Sequence, residues 1–283
     1  MTLVDPDSAL ALTFWGVRGS IPTPVAANLG YGGNTACMAI DRGESMLILD
    51  AGSGIRALGA ELCARPTLPE IHLLFTHFHW DHIQGLPFFA PLFHREARIV
   101  LYSFHPPEQL RDILAGQMVA PYFPIDFHQI SNHLEYRQIE HSALSIAGLN
   151  VQSFDLHHPQ RSQGYRISDG THAVVIATDH EHGDPAADTR LNAVAHGADL
   201  LIYDAQYTPA EYESRRGWGH STWRDAITVA LEAQIPRLVL FHHDPAHDDA
   251  TLDAILAEAQ AEFPRTHCAR EGMTLRLQAA ATD

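Results

Sequence analysis

The sequence predicts an α/β chain built as two β-sheets with helices on their outer faces. Two observations carry this expectation. Apolar, strand-like runs recur along the whole chain, first clustered as hairpins and then alternating with helical patterns. The 283 residues are also 46% hydrophobic, enough to fill a sizeable core. No low-complexity linker, charge block or internal repeat divides the chain, so a single domain over 1–283 is expected.

Taken in order, the strand-like runs are "SMLILD" (45–50), "IHLLFT" (71–76), "ARIVLYS" (97–103), "LSIAGLNVQSFDL" (144–156), "GYRIS" (164–168), "HAVVIATD" (172–179), "ADLLIYD" (198–204) and "PRLVLFHH" (236–243). "SDGT" at 168–171 suits a hairpin turn between two of them. Helical spacing appears in 53–65 through Ile55, Leu58 and Leu62. It recurs in 221–233 through Ala226, Val229, Ala230 and Ala233, with Ser221 or Thr222 as cap. Leu252, Ile255, Leu256 and Phe263 mark a last helix, opened by Asp248 and Asp249. Segment 85–135, rich in Pro and aromatics, is the irregular part. It reads as core packing, or as a wall, a lid or a subunit contact, which leaves a homodimer open.

Composition narrows the function classes. The formal net charge is −16, which argues against tracking nucleic acid along a basic surface, so nucleic acid is not an expected partner. Bound cations could still reverse the field locally. Cys37, Cys63 and Cys268 are widely spaced and suggest no disulfide framework, as in a reducing cytosol. The stretch "MTLVDPDSALALTF" has acids where a signal peptide needs Lys or Arg, and no apolar run reaches the roughly 18 residues of a membrane span. A cytoplasmic protein is expected, with no membrane partner.

The chemistry is concentrated in "THFHWDHIQG" (76–85), where His77, His79, Asp81 and His82 fall within six positions after an apolar run. At this chain's His and Asp content the pattern would arise by chance in only about 0.7% of such chains. Imidazoles and carboxylates are ligands for zinc-like cations. Two cations need roughly seven protein ligands, so others must come from elsewhere. Candidates lie at strand ends: His157 and His158, Asp179, and His242 and His243.

Together these residues resemble the metallo-β-lactamase superfamily, over nearly the whole chain. The resemblance implies a four-layer αβ/βα sandwich with metals at one edge. It also implies that Asp50, in "LILDAGSGIR", supports the metal loop rather than binding metal. Within the superfamily the chain is similar to the branch holding ribonuclease Z and the phosphoribosyl cyclic phosphodiesterase. "HPQRSQGYRI" matches the branch's His followed six residues later by Gly-Tyr, which selects His158. "ADLLIYDAQY" places Asp204 where ribonuclease Z has Glu, and "GHSTW" (219–223) matches its Gly-His-Ser-Thr. The same register prefers His242 to His243. The long basic arm of ribonuclease Z is missing.

The resemblance implies His77, His79 and His158 on one metal, Asp81, His82 and His242 on a second, and Asp179 bridging. Zinc suits the set; manganese and iron fit as well. Asp81 would orient the attacking water, and His220, held by Asp204, would serve the leaving oxygen. Arg18 in "WGVRGS" and Asn34 in "YGGNT" are candidates for substrate contact. The leading expectation is a binuclear phosphodiesterase acting on a small or cyclic phosphoester. The alternatives are a thioester, lactone or lactam hydrolase, an RNA-end nuclease, and a non-catalytic accessory protein like that of pyrroloquinoline quinone synthesis.

Overall fold

The computed structural model describes residues 10–130, 134–140 and 143–277. The acidic N-terminal stretch 1–9 and residues 131–133 of the irregular segment lie outside it. The first part of the chain forms β1 (Leu10–Gly16), β2 (Cys37–Asp41), β3 (Ser45–Leu49), β4 (Glu70–Leu74), β5 (Ile99–Ser103) and β6 (Leu134–Gln138). The second forms β7 (Ala143–Ile146), β8 (Leu149–Leu156), β9 (Ser162–Ser168), β10 (Ala173–Ala177), β11 (Leu200–Asp204), β12 (Leu238–Phe241) and β13 (Thr266–Cys268), and β14 (Thr274–Leu277) returns to the first sheet.

Each sheet has seven strands, in the orders β14-β1-β2-β3-β4-β5-β6 and β13-β12-β11-β10-β9-β8-β7. Both are half antiparallel and half parallel. In the first, β3 to β6 run parallel. In the second, β10 to β13 do. Parallel neighbours need crossover connections, and these supply the outer helices.

Leu47 and Leu49 of β3 face the second sheet, where they meet the cluster of Val151, Ile167, Ile176 and Val239. Ile48, between them, faces outward onto Leu58 and Leu62 of the helix Ile55–Cys63. This alternation buries the strand on both faces and explains its unbroken apolar run. The second sheet repeats it: Val175, Leu201 and Leu240 pack outward with Trp223 and Ala226 of the helix Trp223–Glu232 and Leu252 of the helix Asp249–Glu262. The expected αβ/βα sandwich is what forms.

The predicted caps resolve to Thr222 and Asp248, whose side chains accept from Asp225 N and Thr251 N. The expected 168–171 turn joins β9 to β10, and Asp169 accepts there from Thr171 N and His172 N. The run 144–156 is not one strand. It breaks into the β7–β8 hairpin at Ala147 (φ 52°) and Gly148 (φ 72°), a two-residue turn with both residues left-handed, which the apolar flanks had masked. Strands β1, β2, β6, β13 and β14 and the helices Pro107–Ala115 and Pro185–Ala195 were not anticipated either. Much of segment 85–135 is core: Leu86, Phe89, Leu92, Leu110 and Met118 pack beneath the first sheet's helical layer.

Candidate metal centre

The candidate residues sit directly after parallel strands, where the chain leaves each sheet. Asp50 follows β3, Thr76 and His77 follow β4 by two and three residues, Asp179 follows β10, Asp204 ends β11 and His242 follows β12. Asp50, Asp179 and His242 all adopt left-handed backbone, with φ of 61°, 57° and 63°. Such conformations cost on the order of 1–3 kcal/mol each and cluster at functional sites.

The structure brings together all nine residues singled out for metal binding and catalysis. His158 Nε2 lies 3.2 Å from His79 Nδ1, and His77, His79 and His158 form one group of mutually close ligand atoms. Asp81, His82 and His242 form another: His242 Nε2 is 3.1 Å from Asp81 Oδ2 and 3.2 Å from His82 Nε2. Asp179 stands between them. Its Oδ1 is 3.6 Å from His77 Nε2 and 3.4 Å from His242 Nε2, and its Oδ2 is 3.1 Å from His82 Nε2. His77 Nε2 is buried and has no hydrogen-bond partner, as expected of an atom whose lone pair belongs to a cation. The donor set fits one or more divalent metals.

Every imidazole in the cluster is braced from behind. Asp50, fully buried, holds His82 Nδ1 at 2.8 Å and accepts from Thr76 N and Oγ1, so it acts as the support expected of it. Thr76 Oγ1 lies 3.1 Å from His77 Nδ1. Gln160 Oε1 accepts from His79 Nε2 at 2.9 Å, the Gly219 carbonyl from His158 Nδ1 at 2.8 Å, and Gln206 Oε1 from His242 Nδ1 at 2.9 Å. Ser20 donates its backbone N–H to Asp81 Oδ2 at 2.7 Å. Thr76, Gln160, Gln206 and Ser20 were not anticipated, because a single amide or hydroxyl carries no motif of its own.

Electrostatics divides the imidazoles. Burial pushes the His158 imidazole down to about 4, and His77 well below the ordinary histidine value, so both present lone pairs. Burial also opposes charge on His82 and His242. There the neighbouring Asp179 and Asp81 carboxylates prevail, holding His82 well above its ordinary value and His242 up to about 9. The buried carboxylates thus demand a positive charge at this spot. Cation binding would supply it and release protons from the histidines.

His220 lies beside the cluster, its ring stacked on His242 at 4.9 Å between centroids. Asp204 Oδ2 holds its Nδ1 at 2.7 Å, which leaves Nε2 for a ligand. Ser20, Trp80, Asp81, Asp179 and His220 line a common cavity of about 510 Å³. Glu181 fixes the loop that carries His220: its carboxylate accepts from Gly217 N, Gly219 N and Tyr212 Oη.

Several side chains lie outside this arrangement. His157 Nδ1 turns to the Glu181 carbonyl and His243 Nε2 to the Ala269 carbonyl, in keeping with the preference for His158 and His242. Arg18 does not reach the cavity. It is fully buried and donates to the carbonyls of Gly32, Asp244 and His247, so "GVRGS" acts as a brace for the loop after β12. Asn34 is bound to Glu271. His180, His182 and Asp188 form a further cluster. There His180 Nδ1 accepts from His157 N, so its Nε2 carries the proton given to Asp188 and offers no lone pair.

The model of the "Beta-lactamase superfamily domain" matches residues 46–243, from β3 to just beyond β12. The chain belongs to the metallo-β-lactamase superfamily. Among curated relatives of this superfamily member is "Ribonuclease Z" of Haloferax volcanii, 25% identical over 288 aligned positions that cover 83% of this chain and 84% of the relative. Among solved structures, the metallo-β-lactamase fold protein YhfI of Bacillus subtilis aligns with a TM-score of 0.74 and 19% identity, covering 96% of this chain and all of that one. A diphosphatase of the PhnP family aligns with a TM-score of 0.67 and 19% identity, covering 95% and 98%. The chain is thus a hydrolase of the metallo-β-lactamase superfamily.

The relatives correct one expectation. Net charge and the absent arm had argued against a nucleic-acid partner, yet the curated relatives are ribonucleases. The physical reason is that net charge sums the whole surface, whereas a phosphodiester is met at the few ångströms around the metals. Among the described residues no helix is long and apolar enough to cross a membrane.

Proposed function

We propose that the chain is a binuclear, zinc-type phosphodiester hydrolase acting on a small or cyclic phosphoester. His77, His79 and His158 would hold one cation and Asp81, His82 and His242 the other, with Asp179 shared. Bound there, the cations would supply Lewis acidity, lowering the pKa of a water and offsetting charge on the phosphoryl oxygens.

The chain's own groups account for the rest. Asp81, fixed by the Ser20 N–H, accepts a hydrogen bond from the attacking hydroxide and orients it. Burial opposes its charge, but the His82 and His242 imidazoles hold the Asp81 carboxyl well below the ordinary range, so it stays ionised. His220 gives a proton from Nε2 to the departing oxygen, and Asp204 at Nδ1 keeps the ring in that tautomer and orientation. The Asp204–His220 pair beside the cluster is the observation that carries the reading. An alkoxide needs such a donor, whereas a thiolate leaving group does not. The same pair would serve at an RNA phosphodiester, and the ribonuclease Z relatives favour that as a second reading.

The test is turnover of bis(p-nitrophenyl) phosphate, an alkyl phosphodiester and a short RNA by metal-loaded protein, beside a thioester and a lactone. Hydrolysis of the thioester or lactone alone would refute the proposal.

A further inference from the structure

Trp80 is an unusual residue for its place. It lies between two of the cluster's residues, His79 and Asp81, in the short turn of helix Trp80–Ile83, yet it is 64% exposed. A large indole left in water is unfavourable unless something covers it. Trp80 lines the same cavity as Asp81, Asp179 and His220.

A neighbouring lobe of about 150 Å³ shares Phe78, His79 and Gln160 with this cavity and is walled by Phe104 and His105. Phe78 is held there by ring contacts with Phe75 at 5.3 Å and His105 at 5.5 Å. Arg161 also borders this lobe, but its guanidinium lies over the Phe104 ring at 4.4 Å and is paired with Glu140 and Asp155. The lobe therefore offers flat apolar faces rather than free charge. Trp80 and Phe78 in the larger cavity, and Phe78, Phe104 and His105 in the smaller, thus line space that also borders the His79 ligand position, next to a cluster suited to phosphoryl oxygens.

We infer that Trp80 is a stacking platform for a planar aromatic group, a nucleobase, attached to the phosphoester. This rests on the phosphodiesterase reading and narrows its substrate class to nucleotidyl phosphoesters. The base could belong to a free nucleotide or to an RNA end.

The test is calorimetric binding to zinc-loaded protein of thymidine 5′-monophosphate, a phosphorothioate uridine trinucleotide and methyl phosphate, compared between the native chain, Trp80→Ala and Trp80→Phe. Base stacking on an aromatic ring predicts that the affinity for a nucleotide relative to methyl phosphate falls roughly 5- to 100-fold in Trp80→Ala. Trp80→Phe should retain most of the ratio. Because the ratio is read, a general disturbance of the neighbouring ligands cancels. Loss with the mononucleotide alone assigns the platform to free nucleotides, and loss extending to the trinucleotide assigns it to an RNA strand. An unchanged ratio with both overturns the inference, as does an unchanged ratio with an altered oligomeric state, which would make Trp80 a subunit contact. Failure of the native protein to hydrolyse any phosphodiester would sink the hydrolase reading, while the binding ratio would still decide the platform.

Discussion

Replacing Glu181 by Gln removes one acceptor and inserts a donor where three donors converge. In the native protein one carboxylate oxygen accepts from Gly217 N at 2.7 Å and Tyr212 Oη at 2.8 Å, and the other from Gly219 N at 2.8 Å. Gln can meet the first pair with its carbonyl, but its NH₂ then faces the Gly219 N–H. The opposite orientation keeps Gly219 and opposes Gly217. Gly219 is buried whereas Gly217 is exposed to water, so the first orientation leaves a buried amide without its charge-assisted bond, worth about 1.5–3 kcal/mol. The second costs less but still gives up the bond that anchors Gly217. For a domain of this size the full penalty lowers Tm by about 2.5–5 °C. The consequence reaches the site because the Gly219 carbonyl braces His158 Nδ1, and His220 is the next residue. Loss of such outer support costs roughly 10- to 100-fold in metal affinity or activity. The assay is a thermal melt with and without zinc, followed by a competition titration with a chromophoric chelator. An unchanged Tm, or a lowered Tm with unaltered zinc affinity, would refute the chain of reasoning from Glu181 through Gly219 to His158.

Other outcomes follow from the same geometry. His220→Ala should lower kcat and kcat/KM together by roughly 10²–10⁴-fold with metal content unchanged, more for alkyl than for p-nitrophenyl leaving groups, and Asp204→Asn should do so more mildly; normal rates on an alkyl diester would contradict the assigned role. Metal analysis should approach two equivalents per chain and drop sharply in Asp179→Ala, whereas a fully active protein with one ion would rule out the binuclear proposal. In Gly19→Ala the new Cβ would sit 2.4 Å from the His242 ring, so zinc affinity should weaken, and a variant with native affinity would show that the loop yields freely. Burial pushes the His243 imidazole down to about 3 from 6.5, so the unfolded chain takes up a proton that the native one refuses. That contribution is fully present above about pH 6.5 and is lost as pH falls toward 3. A His243→Leu variant should therefore show a shallower decline of Tm over this range, and parallel curves would refute the assignment.

Most of the layered fold was legible because it depends on local pattern. Apolar runs such as "LLIYD" and "LVLF" mark strands buried on both faces, and Leu58–Leu62 spacing marks a covering helix. β14 escaped because it is four residues long, partly exposed and only half apolar. By contrast β1, LALTFWG, is largely apolar, and its alternation of buried and half-buried positions was a strand signal in its own right. The helix Pro185–Ala195 escaped because its apolar face is mostly alanine.

The candidate ligands were legible for a related reason. A metal site demands rare residue types, and crowding them into "THFHWDH" or setting them after strands leaves a mark that survives without coordinates. What the sequence by itself determined is therefore the sandwich, the superfamily and the list of imidazoles and carboxylates. Only the tertiary structure decided which nitrogen of each histidine faces the cluster, that Asp179 stands between the two groups, that Gln160, Gln206 and Glu181 brace them, and that Arg18 is buried away from the cavity. Those facts depend on contacts across as many as 229 positions, such as Arg18 to His247. They also depend on left-handed backbone at Asp50, Asp179 and His242, which local propensity disfavours and only the packed sheets can impose.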